Sequence, residues 1–312
     1  MENDYVIIAD RSCDLSSELM SRFNVDERMK GYMNTPDADD VECSYSMSET
    51  EIDAFYSSLK SNKNKYSTSS PSIDDSVSCF EPFLQQGRDI IVICLSGALS
   101  STYNVLLCAQ KIVIEKYPER KVFVIDSQRY STGIGLLVIK ACQLRADGCS
   151  IGENAQKLEK IKTTIHQMGT VDDLFWVASK GRISNSKAFF GTIAGIKSLG
   201  DFSSEGMVTL MAKISGYKKA NKAVIEYIRK TIKYAHEQII FVAHSARRAQ
   251  AGILASLVKE NIKPKEVIIS EIYPMSGINV GPGLIAVLYF GTEITDLNYE
   301  KKVMNEIISS KL

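Results

Sequence analysis

The sequence has no excess of charge of either sign, since 37 lysines and arginines balance 37 aspartates and glutamates. A chain without net charge exerts no long-range attraction on nucleic acid or on anionic lipid, so we expect neither as a partner. Long apolar runs are also missing. The longest, Ile90 to Leu95 and Leu284 to Phe290, fall far short of the ~20 residues that a membrane span needs. We therefore expect no stable membrane insertion.

Patterns typical of metal sites and disulfide frameworks are absent as well. The seven cysteines are odd in number and form no CxxC pair, and the three histidines are scattered. In a chain of this size such cysteines are typical of reduced thiols. The first ten residues have neither a positively charged start nor a long apolar stretch, so we expect no signal peptide. These features predict a cytoplasmic protein with neither metal nor cofactor.

The neutral total hides a charge gradient along the chain. Residues 1–53 contain fourteen acidic and four basic residues, whereas residues 211–265 contain three acidic and twelve basic ones. Two solvated surfaces explain this gradient most simply. The alternative is an interaction module that docks an acidic partner through its basic segment.

Alternating strands and helices predict an α/β fold. In the first half, Tyr5 to Ala9, Asp89 to Leu95 and Lys121 to Asp126 are near-continuous apolar runs, as buried parallel strands are. We expect a mainly parallel, doubly wound sheet in an N-terminal domain, residues 1–165, with a small excursion near 26–47. Ligands of such sheets bind beyond the carboxyl ends of the strands.

The remaining chain predicts a second α/β domain over residues 166–312. A polar-faced helix from Ser150 to Gln167 is expected to connect the two domains, and Leu174 to Ala178 is expected to form a strand. Residues 184–194 predict a helix.

A hydroxyl-rich loop follows the apolar run that ends at Leu95. It carries Ser100, Ser101 and Thr102 where the next helix begins. Free backbone N–H groups and the helix dipole favour an anion at such a point. The alternative is simple helix capping, which needs one hydroxyl only. A second hydroxyl-rich segment, Ser67 to Ser72, also precedes a predicted helix.

Motifs for nucleophilic catalysis are missing: the sequence has no GxSxG, no P-loop and no GxGxxG. His244 follows a predicted strand and could pair with a serine, although a histidine at a strand end is more often structural. His166 and His236 are expected on exposed helical faces. We predict no catalytic residue.

Six short motifs follow one another along nearly the whole chain. They are Asp10, Thr68-Ser69-Ser70-Pro71-Ser72, Leu99-Ser100-Ser101-Thr102-Tyr103, Asp126-Ser127 with Ser131-Thr132-Gly133-Ile134-Gly135, Lys180-Gly181-Arg182, and Asn279-Val280-Gly281-Pro282-Gly283. In order and spacing this set resembles the DegV family of bacterial proteins.

The resemblance implies two α/β domains with a ligand cleft between them and a bound long-chain fatty acid. It also implies, as a partner, a separate fatty-acid kinase to which some family members present the carboxylate. By position, the carboxylate and head-group residues would be Thr68, Ser69, Ser100, Ser101, Thr102, Arg182, Asn279, Gly281 and Gly283.

The chain departs from the family pattern at several of these motifs. Arg11 replaces the serine that follows Asp10. Ser70 replaces a glutamine, and Ser101 replaces a glycine. Asn279 stands where the family has a histidine, and an asparagine can donate a hydrogen bond but cannot become a cation.

The sequence thus predicts a non-enzymatic fatty-acid-binding protein. One alternative is an acyl hydrolase or transferase that uses Ser100 or Thr68 at the same site. The other is the interaction module described above.

Overall fold

The computed structural model describes residues 5–183, 195–295 and 298–310. The helix predicted for residues 184–194 lies outside the described residues. Up to Ile161, the elements in chain order are β1 (Tyr5–Ala9), α1 (Ser17–Arg22), β2 (Glu27–Arg28), β3 (Tyr32–Asn34), β4 (Val41–Glu42), α2 (Glu49–Ser61), β5 (Ser67–Thr68), α3 (Ile73–Gln85), β6 (Asp89–Cys94), α4 (Thr102–Lys116), β7 (Val122–Asp126), α5 (Thr132–Ala146) and α6 (Ile151–Ile161).

The second half of the chain adds further helices and strands. They are β8 (Ile165–Val171), α7 (Leu174–Ser179), β9 (Ile196–Phe202), β10 (Val208–Ser215), α8 (Tyr217–Thr231), β11 (Ile239–His244), α9 (Arg248–Ile262), β12 (Glu266–Glu271), α10 (Pro274–Val280), β13 (Ile285–Phe290) and α11 (Asn298–Ser309). The chain forms two compact units: unit 1 contains residues 1–46 and 64–162, and unit 2 contains residues 47–63 and 163–312.

Unit 1 is built on a parallel sheet with the strand order β2-β1-β6-β7. The side chains of Ile90, Val92 and Cys94 face a core shared with α3 and α4. The intervening side chains of β6 point to the opposite face because strand side chains alternate, and α5 and α6 pack against the sheet as well. The predicted α/β fold with a parallel, doubly wound first sheet is confirmed.

One edge of this sheet gathers the carboxyl ends of its strands. Asp10, Ser96 and Ser127 follow β1, β6 and β7, and all three are fully buried. A buried polar group needs hydrogen bonds to replace those it made with water. Asp10 meets this need with its Oδ1, which accepts from the backbone N of Ser12 at 2.7 Å, and its Oδ2, which accepts from the N of Leu95 at 3.2 Å. Hydrogen bonds to Asp10 therefore connect the loop after β1 to the residue that follows β6.

A small antiparallel sheet, with the order β4-β3-β5, lies in the same unit. Residues 26–47 supply β3 and β4, and β5 pairs Thr68 with Met33. This pairing fixes the backbone at the start of the serine-rich segment Ser67 to Ser72.

Unit 2 contains a mixed sheet with the order β10-β9-β8-β13-β11-β12, in which β11 and β12 are parallel. The other neighbouring pairs are antiparallel. Helices α8, α9 and α11 supply apolar side chains to its core, including Val224, Leu254 and Val303.

Two sequence predictions for this unit were wrong. Residues 174–178 are helical rather than extended, because Asp173 caps α7: its Oδ1 accepts a hydrogen bond from the backbone N of Trp176 at 3.0 Å. The helix expected from Ser150 to Gln167 ends at Ile161, and its last residues belong instead to β8.

No helix within the described parts of the chain is long and apolar enough to cross a membrane.

Candidate functional site

Four hydroxyl groups meet at the strand-end edge of unit 1, and we call them the hydroxyl cluster: Ser70, Ser100, Ser101 and Thr102. Ser70 Oγ lies 2.6 Å from Ser101 Oγ and 3.2 Å from Ser100 Oγ. Ser100 Oγ lies 2.9 Å from Thr102 Oγ1. The two serine-rich motifs, which are thirty residues apart in the sequence, therefore form one group of donors and acceptors.

Helix capping does not account for these hydroxyls. Ser101 is the N-cap residue of α4, and its side chain makes no capping hydrogen bond. Ser100 Oγ accepts from the backbone N of Thr102 at 3.2 Å, which satisfies one N–H of the first turn. The cluster thus offers more hydroxyls than the end of the helix uses, at a point where the helix dipole favours negative charge.

Thr68 and Ser69 connect β5 to this cluster. Thr68 is half-buried in β5, and Ser69 is exposed. The carbonyl oxygen of Ser69 accepts a hydrogen bond from Nη2 of Arg11. Arg11 is itself buried, and burial lowers the pKa of its guanidinium. Sequence reasoning noted Arg11 only as a departure from the family pattern and did not place it at the site.

The glycine turn of unit 2 is packed tightly. Gly281 has φ +70°, and a Cβ at this position would lie 2.5 Å from Cδ2 of Trp176. Gly283 has φ +105°, and its Cβ would lie 2.7 Å from Cβ of Asp172. Ser245 Oγ donates to the carbonyl of Gly281 at 2.7 Å. Only glycine fits both the backbone conformation and the space at these two positions.

Asn279 and Arg182 also belong to unit 2. Asn279 lies in α10, directly before the glycine turn, and its Nδ2 donates to the carbonyl of Met275 at 3.4 Å. Arg182 follows α7, and its Nη1 donates to the carbonyl of Lys180. Five of the predicted site residues therefore lie in unit 1 and four in unit 2.

A charged group around Asp172 supports the glycine turn, and sequence reasoning missed it. Asp172 accepts hydrogen bonds from Lys197 Nζ at 2.6 Å, Arg247 Nη2 at 2.6 Å and Tyr217 Oη at 2.8 Å. Burial alone would raise the pKa of Asp172, but these three donors lower it below its usual value. An ionised Asp172 therefore neutralises part of the charge of two cations beside Gly283.

The three histidines belong to unit 2, and the hydroxyl cluster belongs to unit 1. His244 is buried at the end of β11, its nearest carboxylate is Glu271 at 3.5 Å, and burial lowers its pKa to about 4. His166 was expected on an exposed helical face. It is instead fully buried in β8, 2.8 Å from Oδ2 of Asp201. His236 is exposed, as expected, and lies 3.5 Å from Glu237. Each of the three histidines thus has an acidic partner.

Within the described residues, no group of three or more histidines, cysteines, aspartates or glutamates could hold a metal ion. The fold and site together define an α/β protein whose parallel sheet carries a hydroxyl-lined edge. The model of the DegV family, described as uncharacterised proteins, matches residues 5–292. The chain belongs to the DegV family.

Individual relatives agree with this assignment. A DegV domain-containing protein of Clostridium perfringens is 32% identical over 291 residues, covering 92% of this chain and 97% of the relative. A crystal structure of a DegV lipid binding protein from Thermotoga maritima is 22% identical, with a TM-score of 0.80, over 94% of this chain and 100% of that one. The Streptococcus pneumoniae fatty acid kinase B3 protein loaded with linoleic acid is 21% identical, with a TM-score of 0.77, over 92% and 99%.

Proposed function

We propose that this protein binds a long-chain fatty acid and holds its carboxylate at the hydroxyl cluster of unit 1. The observation that carries this proposal is the cluster itself: hydroxyls from two distant motifs converge, within 3.2 Å of one another, at the N-terminus of α4. Hydroxyl and backbone donors of this kind suit a carboxylate. Two solved relatives, one a lipid binding protein and the other loaded with linoleic acid, support the same class of ligand.

The acyl tail and the head group would make different contributions to binding. Burial of about fifteen methylenes contributes on the order of 12 kcal/mol before the costs of association, at roughly 0.8 kcal/mol each. Removal of the carboxylate from water costs several kcal/mol unless new hydrogen bonds replace those lost. The tail therefore sets the affinity, and the hydroxyls set the orientation of the acid and the preference for an acid over an ester.

The remaining predicted residues would complete the head-group region. In this proposal Thr68 and Ser100 contact the carboxylate, and Ser69, Ser101 and Thr102 support it. For Arg182, Asn279, Gly281 and Gly283, which belong to unit 2, a role at the head group stays a prediction. The two compact units would then be the two domains of the family, with a break near residue 165.

The protein would act as a carrier rather than as an enzyme. All three histidines belong to unit 2, whereas Ser100 and Thr68 belong to unit 1, and this supports a carrier over a hydrolase or a transferase. The likeness to the fatty acid kinase B3 protein supports presentation of the bound acid to a separate kinase in the cytoplasm.

Native mass spectrometry of the purified protein tests fatty-acid binding. After incubation with palmitate, the mass of the protein should increase by that of one palmitate. A protein that shows no such adduct with any C14 to C18 acid would refute the proposal. Ser100→Ala should weaken palmitate binding about tenfold or more, because a hydrogen bond to a charged group contributes roughly 1.5–3 kcal/mol.

A matched control comes from a second hydroxyl pair in unit 1. Ser17 Oγ and Ser46 Oγ lie 2.7 Å apart, and neither residue belongs to the hydroxyl cluster. Ser46→Ala removes one member of that pair and should leave palmitate binding unchanged. Equal losses in Ser46→Ala and Ser100→Ala would show that the effect arises from general destabilisation and not from the site.

A further inference from the structure

Arg11 is a buried cation with little of its hydrogen-bonding capacity used. Only 3% of its surface is exposed. A guanidinium carries five N–H donors, yet in the described part of the chain the side chain of Arg11 donates one hydrogen bond, to the carbonyl of Ser69. Arginine is seldom buried without an anionic partner, because loss of its hydration is costly.

The acidic groups near Arg11 are already engaged elsewhere. The titratable groups around it are Asp10, Cys43, Tyr45 and Asp75. Both oxygens of Asp10 accept hydrogen bonds from backbone N–H groups of the sheet edge. Tyr45 Oη donates to the carbonyl of Arg11 itself.

Asp75, the other carboxylate, belongs to the capping box of α3. Its Oδ2 accepts from Ser72 Oγ at 2.6 Å. Among the described carboxylates, none forms an ion pair with the Arg11 guanidinium, whose side-chain hydrogen bond goes to the Ser69 carbonyl.

The contact with Ser69 places Arg11 at the hydroxyl cluster. Ser69 precedes Ser70, whose Oγ contacts both Ser100 and Ser101. A buried guanidinium, a helix N-terminus and several hydroxyls therefore converge on one loop. Each of the three favours negative charge.

We propose that Arg11 is the charged anchor of the ligand head group in this protein, and that it makes binding selective for an ionised carboxylate over a neutral head group of the same chain length. This inference rests on the proposed function and assigns a residue at which the chain departs from its family's pattern. The guanidinium would bind the carboxylate with its free donors and keep its hydrogen bond to Ser69. Affinity would then depend on the charge of the ligand as well as on its tail.

Competition binding with matched C16 ligands tests this selectivity. Wild-type protein should bind palmitate on the order of tenfold to a hundredfold more tightly than methyl palmitate or hexadecan-1-ol, as a charge-assisted hydrogen bond would give. Arg11→Gln removes the charge and keeps a donor for the Ser69 carbonyl. In this variant palmitate affinity should fall about tenfold or more towards that of hexadecan-1-ol, while hexadecan-1-ol affinity stays the same.

Arg28→Gln provides the matched control. Arg28 is a second arginine of unit 1 with a carbonyl partner, since its Nη2 donates to Leu15, and its guanidinium carbon lies 3.8 Å from the ring centroid of Tyr45. This variant should keep the preference for palmitate. A merely structural role of Arg11 would lower the affinities for acid and alcohol together and leave their ratio unchanged.

A measurement on the wild-type protein decides the question if Arg11→Gln does not fold. The carboxyl resonance of carboxyl-¹³C palmitate reports the ionisation of the bound acid as the pH is lowered. A cation within contact distance lowers a carboxyl pKa by about one to three units. Bound palmitate should therefore titrate at least about one unit below the usual carboxyl value near 4.3.

The outcomes separate the two proposals. Wild-type protein that binds neither palmitate nor hexadecan-1-ol overturns fatty-acid binding and the role of Arg11 together. If palmitate binds but the acid-to-alcohol ratio is unchanged in Arg11→Gln, the role of Arg11 alone is overturned. The same holds if the bound carboxyl titrates at or above its usual value.

Discussion

The glycine turn of unit 2 allows a sharp test of the packing described above. Gly281 has φ +70° and ψ 178°, a conformation that is essentially restricted to glycine. Gly281→Ala would add a Cβ that lies 2.5 Å from Cδ2 of Trp176 and 2.6 Å from its Cγ. The indole cannot move freely, because its Nε1 donates to the carbonyl of Ile278 at 3.0 Å. The variant therefore combines backbone strain with overpacking.

The two contributions can be estimated separately. Backbone strain of this kind costs about 1–3 kcal/mol, and overpacking of a closely packed site costs about 1–3 kcal/mol. Gly216 supplies the control: its φ is +73° and its ψ is 155°, and no atom lies within 4 Å of an added Cβ. Gly216→Ala should thus show the backbone cost alone. Gly281→Ala should lower the free energy of unfolding by about 1–3 kcal/mol more than Gly216→Ala does.

Urea unfolding followed by tryptophan fluorescence measures both variants. Trp176 is the single tryptophan of the chain, so the native emission reports directly on the residue beside Gly281. We expect a shifted native emission in Gly281→Ala and an unchanged one in Gly216→Ala. Equal losses of stability in the two variants, with unchanged emission, would refute the close contact between Gly281 and Trp176.

Two further predictions concern titratable groups of unit 2. His244 has a pKa of about 4 in the folded protein and about 6.5 when unfolded, so the unfolded chain binds the extra proton and stability falls as the pH drops from 6.5 towards 4. The stability advantage of wild-type protein over His244→Gln should therefore shrink by about 2 kcal/mol between pH 7 and pH 5 in urea titrations, and a constant difference would contradict the buried, neutral histidine. Asp172→Asn leaves Lys197 and Arg247 without their shared carboxylate and should lower the unfolding free energy by about 2 kcal/mol. An unchanged urea midpoint for Asp172→Asn would show that the pairing contributes nothing to stability.

The sequence predicted unit 1 better than unit 2 for a physical reason. Buried parallel strands such as β6 are continuous apolar runs and can be recognised without partners. Strand β8 contains His166, Gln167 and Thr170 and gives no such run. Its identity depends on pairing with β9 and β13, which are distant in the sequence. The short apolar run of α7 resembles a strand until the capping bond from Asp173 is known.

The same distinction holds for the candidate site. Clusters of serine and threonine are visible in composition, and their place before a helix suggests anion binding. Arg11 and Ser69 are 58 residues apart, and Asp172 and Arg247 are 75 apart. Their contacts arise from the fold, and a single sequence without its partners contains no local pattern that predicts them.

The hydroxyl cluster also explains how a site for a charged ligand can exist in an electrically neutral fold. Each hydroxyl both donates and accepts, so Ser70, Ser100, Ser101 and Thr102 can hydrogen-bond to one another. In the proposed function the same O–H groups would rotate towards a bound carboxylate. With the proposed contribution of the buried Arg11 guanidinium, such a site would need a single local positive charge. The net charge of zero over the whole chain is therefore compatible with strong local selectivity for an anion.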